Sequence, residues 1–114
     1  MGLIDTLARH SGLQLRKVGS LQLVAFPDVQ YFLDACMAAG ILVIGIEGFS
    51  TEDGEVRPDM SAIADFSELT RSSQSIVEAR MFVDSVGRPE MLFDFTLSKG
   101  EDYGVALSAS RPKG

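Results

Sequence analysis

Apolar and polar residues recur along this chain with two periods, and the switches between them mark out its elements. Leu3, Ile4, Leu7 and Ala8 sit at helical spacing with Gly12 as a stop, which predicts a short amphipathic helix over 3–10. Leu13-Gln14-Leu15 and Leu21-Gln22-Leu23 alternate around Gly19-Ser20. That alternation suits half-buried strands, and Gly-Ser suits a two-residue type II′ turn, so a hairpin is expected over 13–25. Phe26-Pro27-Asp28 then opens a stronger helix, because proline is tolerated in a first turn and Asp28 can cap free amides. Val29, Phe32, Leu33, Cys36 and Met37 share one face of it, with Gln30, Tyr31 and Asp34 opposite. Gly40 is placed as a left-handed cap, which predicts a helix over 28–39.

The run Ile41-Leu42-Val43-Ile44-Gly45-Ile46 is almost wholly apolar and rich in β-branched residues. It is short for a helix and bounded by glycines, so it reads as a buried central strand over 41–47. Asp53-Gly54 is a turn dipeptide that folds 49–51 back on 55–57. Pro58 is expected to stop the returning strand. Met60, Ile63, Ala64 and Leu69 fit a short helix capped by Asp59, while 60–66 also fits a strand; both readings are kept. A polar loop follows over 70–75. Ile76, Ala79, Val83 and Val86 form a stripe with Phe82 at its edge, which predicts a helix over 74–86, ended by Gly87 and Pro89. Phe93, Phe95 and Leu97 share one face of a strand over 91–97. Residues 99–102 make a turn into a last strand over 103–108, and 110–114 a frayed tail. The fold class is therefore α+β in a single domain over 1–114: a mostly antiparallel sheet of four to six strands with two to three helices packed on one face.

Composition narrows the function classes. A chain of 114 residues with 46% hydrophobic and 23% charged residues is that of a globular domain able to bury a real core. No apolar run approaches the ~20 residues of a membrane span, so no membrane partner is expected. A single cysteine cannot form an internal disulfide, and the amino end carries no basic leader followed by a long apolar stretch; the expected location is cytoplasmic. A pI near 4.6 argues against nucleic acid as a partner and for a basic protein.

Charge is distributed unevenly. Residues 1–46 hold three acids against three bases, and residues 69–114 hold six against six. Residues 47–68 hold Glu47, Glu52, Asp53, Glu55, Asp59, Asp65 and Glu68 against Arg57 alone, so the whole net charge of −6 lies there. Acids on hairpins and loops are often only a solvated surface. Their confinement to 22 residues points instead to a recognition face for a cationic partner, with Phe49 and Phe66 as apolar anchors.

No catalytic or metal constellation competes. His10, the only histidine, falls at a helix end where a cation is favoured. Cys36 lies on an apolar stripe and reads as a small core hydrophobe. Thr51-Glu52-Asp53-Gly54-Glu55 lacks the ligand register of a calcium loop, and no carboxylate pair stands out for acid–base work. Gly45-Ile46-Glu47-Gly48 lacks both GxGxxG and a Walker lysine. No cofactor, metal or catalytic residue is assigned.

Phe26-Pro27-Asp28 ahead of an amphipathic helix, Ala39-Gly40-Ile41, Gly45-Ile46-Glu47-Gly48-Phe49, Asp53-Gly54, Arg57-Pro58-Asp59 and Ala62-Ile63-Ala64-Asp65-Phe66-Ser67 together resemble, in pattern and size, small immunity proteins of bacterial toxin systems. The resemblance covers most of 26–97. It implies a small, acidic, non-enzymatic cytoplasmic inhibitor that blocks a cognate toxin domain, often a nuclease. No contact residues carry over from it. The candidate partner-binding residues, Glu47, Phe49, Glu52, Asp53, Glu55, Asp59, Asp65 and Glu68, rest on charge placement. Two alternatives remain: an assembly subunit that forms a homodimer through an edge strand at 103–109, and a small enzyme built on Glu47 at the end of the central strand.

Overall fold

The structure, a computed structural model, describes residues 2–100 and Tyr103. In chain order the elements are α1 (Leu3–Ser11), β1 (Arg16–Val18), β2 (Leu21–Ala25), α2 (Val29–Ala39), β3 (Ile41–Glu52), β4 (Glu55–Asp65), α3 (Ser72–Val86) and β5 (Leu92–Lys99). The five strands form one sheet in the order β1-β2-β5-β3-β4, antiparallel at every step. Strand β5 thus separates β2 from β3, and β3 separates β5 from β4. Each of those two separated pairs is bridged by a helix, α2 or α3. The α+β class and the helix layer agree with the hydrophobic pattern.

Alternation along the strands decides where the core lies. Val24, Val43, Ile46, Phe93 and Phe95 point to the helices and meet Leu7, Val29, Phe32, Leu33, Cys36, Ile76, Ala79 and Val83 in one cluster. The rings of Phe32 and Phe95 lie 4.9 Å apart at the centre of this layer. Among the described residues, the opposite face of the sheet carries a smaller cluster of Leu23, Phe49 and Leu92. Ser75, 1% exposed, accepts the Val43 amide at 3.2 Å and donates to the Ser72 carbonyl at 3.1 Å, tying α3 to the central strand. Arg80 of α3 donates to Gln30 and Asp34 of α2, and Gln30 donates to Asp84 at 3.3 Å, closing the helix seam.

Several expectations need correction. The first hairpin is shorter than 13–25: Gly19 at φ +61° gives the turn, but pairing ends at Arg16. Leu13 and Leu15 leave the ladder to pack against the helix-side core. A 3₁₀ turn over Phe26–Asp28 leads into α2, so Asp28 already has a turned backbone (φ −95°, ψ −7°) and its side chain makes no capping bond. Met37 is 38% exposed rather than core; it lies at i+7 from Gln30 and i+3 from Asp34, on the seam side of α2. Helix α3 starts at Ser72, two residues earlier than expected, because Ser72 and Ser75 are drawn into the core.

Pro58 does not stop its strand, and of the two readings kept for the next segment the strand is the one found, β4 running through to Asp65. A sheet edge tolerates a proline because its missing N–H is needed by no outer neighbour. The pairing with β3 jumps from Phe49↔Pro58 to Glu47↔Ile63, so residues 59–62 bulge opposite Gly48. The expected last strand over 103–108, the edge at 103–109 and the tail lie outside the described residues, apart from Tyr103, which stands in a turn.

Gly48 is where the bulge and the core meet. A Cβ there would stand 2.6 Å from the Ala62 Cβ and 2.9 Å from the Met91 Cε. Gly48→Ala therefore forces β4 or Met91 to shift, at a cost of about 1–3 kcal/mol. Urea unfolding at constant m-value checks this; a midpoint equal to wild type would contradict the packing described.

Candidate partner-binding surface

The acid-rich segment folds into one structural unit: the second half of β3, the turn, β4 and the turn that follows. It occupies the outer edge of the sheet. Asp53 and Gly54, at φ +52° and +79°, form a tight turn of the mirror-image type between Glu52 and Glu55. The acids of this unit separate into three places.

At the hairpin tip stand Glu52, Asp53 and Glu55, all exposed, around a shallow depression of about 330 Å³ completed by Arg57. Arg57 pairs with Glu55 at 2.6 Å, but both side chains are about two-thirds exposed, so the pair contributes under ~1 kcal/mol. Asp59 lies midway along β4 and is engaged locally. It accepts the Ser61 amide at 3.0 Å and hydroxyl at 2.6 Å, and Arg88 reaches it at 3.3 Å. The Ser61 hydroxyl, then its amide and Arg88, hold the Asp59 carboxyl below the usual carboxylate range. At the far end, Asp65 accepts the Ser67 amide at 2.8 Å, and hydrogen bonding from Ser67 keeps it ionised to lower pH. Asp65, Phe66, Ser67, Glu68 and Leu69 with Glu78 of α3 line a cleft of about 420 Å³. From Gly45, which pairs with Asp65, to Glu52 is seven strand steps, about 23 Å. Tip and far end are thus separated by more than two Debye lengths at physiological salt, and act as distinct centres of charge.

Glu47 belongs to neither. It projects from the helix-free face, directly opposite Asp94 of β5. Burial first, and the Glu47 charge second, push the Asp94 carboxyl up. Two like charges face to face across central strands weaken the sheet. The clefts at the tip and at the far end are lined by other residues, so neither encloses Glu47.

Phe49, expected as an anchor, is 5% exposed and packs with Leu23 and Leu92. Phe66 is half-buried, edge-on to Phe82 with ring centres 6.4 Å apart. The apolar side chains exposed on this edge are Met60 (78%) and Ile63 (47%). Glu78 and Asp94 were missed from the sequence because they enter through α3 and β5. The alternation Phe93-Asp94-Phe95 does place Asp94 on the helix-free face, but its opposition to Glu47 needs the strand order.

Cys36 is fully buried and its thiol is pushed up to about 12 by that burial, which leaves it an inert core residue. Among the described residues no group of three or more His, Cys, Asp or Glu is arranged to hold a metal ion, and no helix is long and apolar enough to cross a membrane. No family model, no curated protein and no solved structure matches the chain.

The Asp94–Glu47 opposition predicts a pH dependence. A carboxyl raised on folding binds its proton more tightly in the native state, so its contribution is present at low pH and lost as pH rises through the native pKa. Asp94→Asn should raise Tm at pH 7 by roughly 2–4 °C, the effect of about half a kcal/mol in a domain of this size. The gain should vanish below the ordinary Asp pKa of 3.8. Thermal melts from pH 3 to 8 check this; a variant less stable at pH 7 would contradict it.

Proposed function

We propose that the chain is a non-enzymatic binding protein that neutralises a basic partner protein, a toxin domain of nuclease type in the immunity-protein reading. One observation carries the proposal: every unit of surplus negative charge belongs to the single hairpin-and-turn unit at one edge of the sheet. An edge charged in this way raises the association rate with a cationic surface and repels acidic competitors. The acids at the tip and far end stay hydrated in the free protein, so their desolvation cost falls due only on binding. Against a nuclease, the same carboxylates occupy the place of the phosphates its basic face is built to hold. Asp59 and Phe49 support this surface from within, through Arg88 and through the Leu23–Leu92 cluster, and the contacts fall to Glu52, Asp53, Glu55, Asp65 and Glu68.

The experiment is calorimetric titration of the chain with the product of the adjacent gene, at low and at high salt. The expected result is a complex whose affinity falls with salt and drops at least tenfold on combined charge reversal of Glu52, Asp53 and Glu55, mostly through the association rate. An affinity indifferent to both, or no association, would overturn the proposal.

A further inference from the structure

Strand β4 is the last strand of the sheet and has 11 residues, against 3 for β1 at the other edge. Among the described residues nothing pairs with its outer side. A long open edge presents backbone donors and acceptors to any extended chain, and proteins usually blunt such edges. Here the first half is blunted: Pro58 and the bulge over 59–62 interrupt a regular ladder. The second half is not. Residues 63–65 pair in step with β3, Ile63 is half exposed, and the strand runs directly into the carboxylate-lined cleft.

Resting on the binding role proposed above, we infer that this half of β4 takes up an extended basic segment of the partner as a sixth strand, with a Lys or Arg side chain seated between Asp65, Glu68 and Glu78. Charge selects the occupant. A second copy would bring an equally acidic edge, with its own Asp59, Asp65 and Glu68, against this one, and like charges brought together across an interface disfavour the association. A basic segment meets the same carboxylates with attraction. The cleft matches a long cationic side chain in both its parts: Phe66 and Leu69 cover the aliphatic stem, and the three acids meet the charge. Main-chain pairing supplies affinity and the cleft supplies selectivity, which is the division of labour in strand addition.

The test uses the full chain and a fluorescent octapeptide of alternating Lys and Val, with the same peptide N-methylated at every amide as control. The control keeps all charge and loses the donors of the ladder. Anisotropy titration should show the parent peptide binding at least tenfold more tightly than the control, as loss of several strand hydrogen bonds requires. Glu68→Gln with Glu78→Gln should weaken the parent peptide roughly fivefold, the effect of two exposed ion pairs. Equal binding of the two peptides, indifference to the paired Gln substitutions, absence of binding at millimolar peptide, or sedimentation as a dimer sealed along β4 would each overturn the inference. If the whole partner still binds and still responds to charge reversal at the tip, only the strand addition has failed; if the partner does not bind, the binding role has failed as well.

Discussion

The two-residue alternation of β3 is the constraint on which the rest depends. This strand is paired with β5 from Ile41 to Phe49 and with β4 from Gly45 to Glu52, both flanks being held at its centre, so the two ladders fix which face each side chain takes. A bulge between Val43 and Gly45 resets the alternation once, so that Val43 before it and Ile46 after it both meet the helices, while Glu47 and Phe49 must face away from them. Gly48 lies on the helix side with no side chain, which lets Ala62, Met91 and Phe93 close over it. The bulge over 59–62 then carries the chain past that contact. The acids of β3 and β4 take their positions from this arrangement rather than from any mutual attraction.

The same constraint explains what could be read from the residues and what could not. Periodicity carried the helices well, because Phe32, Leu33, Cys36 and Ile76, Ala79, Val83 each bury a stripe of the width a helix presents. Turn chemistry carried both hairpins, since Gly19 and Asp53-Gly54 have the positive φ that tight turns demand. Pro58 misled, because its meaning depends on whether the strand is central or at an edge, and that depends on strand order. Phe49 misled for a related reason: next to Glu47 and Glu52 in sequence it reads as a surface aromatic, but register sets it beside Leu92. The acidic face itself was legible as composition, while its division into tip, middle and far end was not, and neither Glu78 nor Asp94 could be assigned to it without the fold.

Electrostatically the molecule is a balanced body with a charged rim. The helix seam is built from matched groups, Arg80 with Asp34 and Gln30. Among the described residues the rim matches two of its acids, Asp59 with Arg88 and Glu55 with Arg57. Unbalanced charge repels itself and lowers stability, so its placement on an exposed edge, where water and salt screen it, minimises that cost. Asp94 opposite Glu47 departs from this, set partly out of water on the sheet face.

A rival surface exists on the helix layer, where Tyr31, Met37, Val77 and Met81 are exposed. Amide-resolved NMR titration with the basic partner separates the two directly. The account predicts shifts concentrated in 52–68 and at Glu78, diminishing with added salt. Shifts centred on Tyr31, Met37, Val77 and Met81 and indifferent to salt would contradict it.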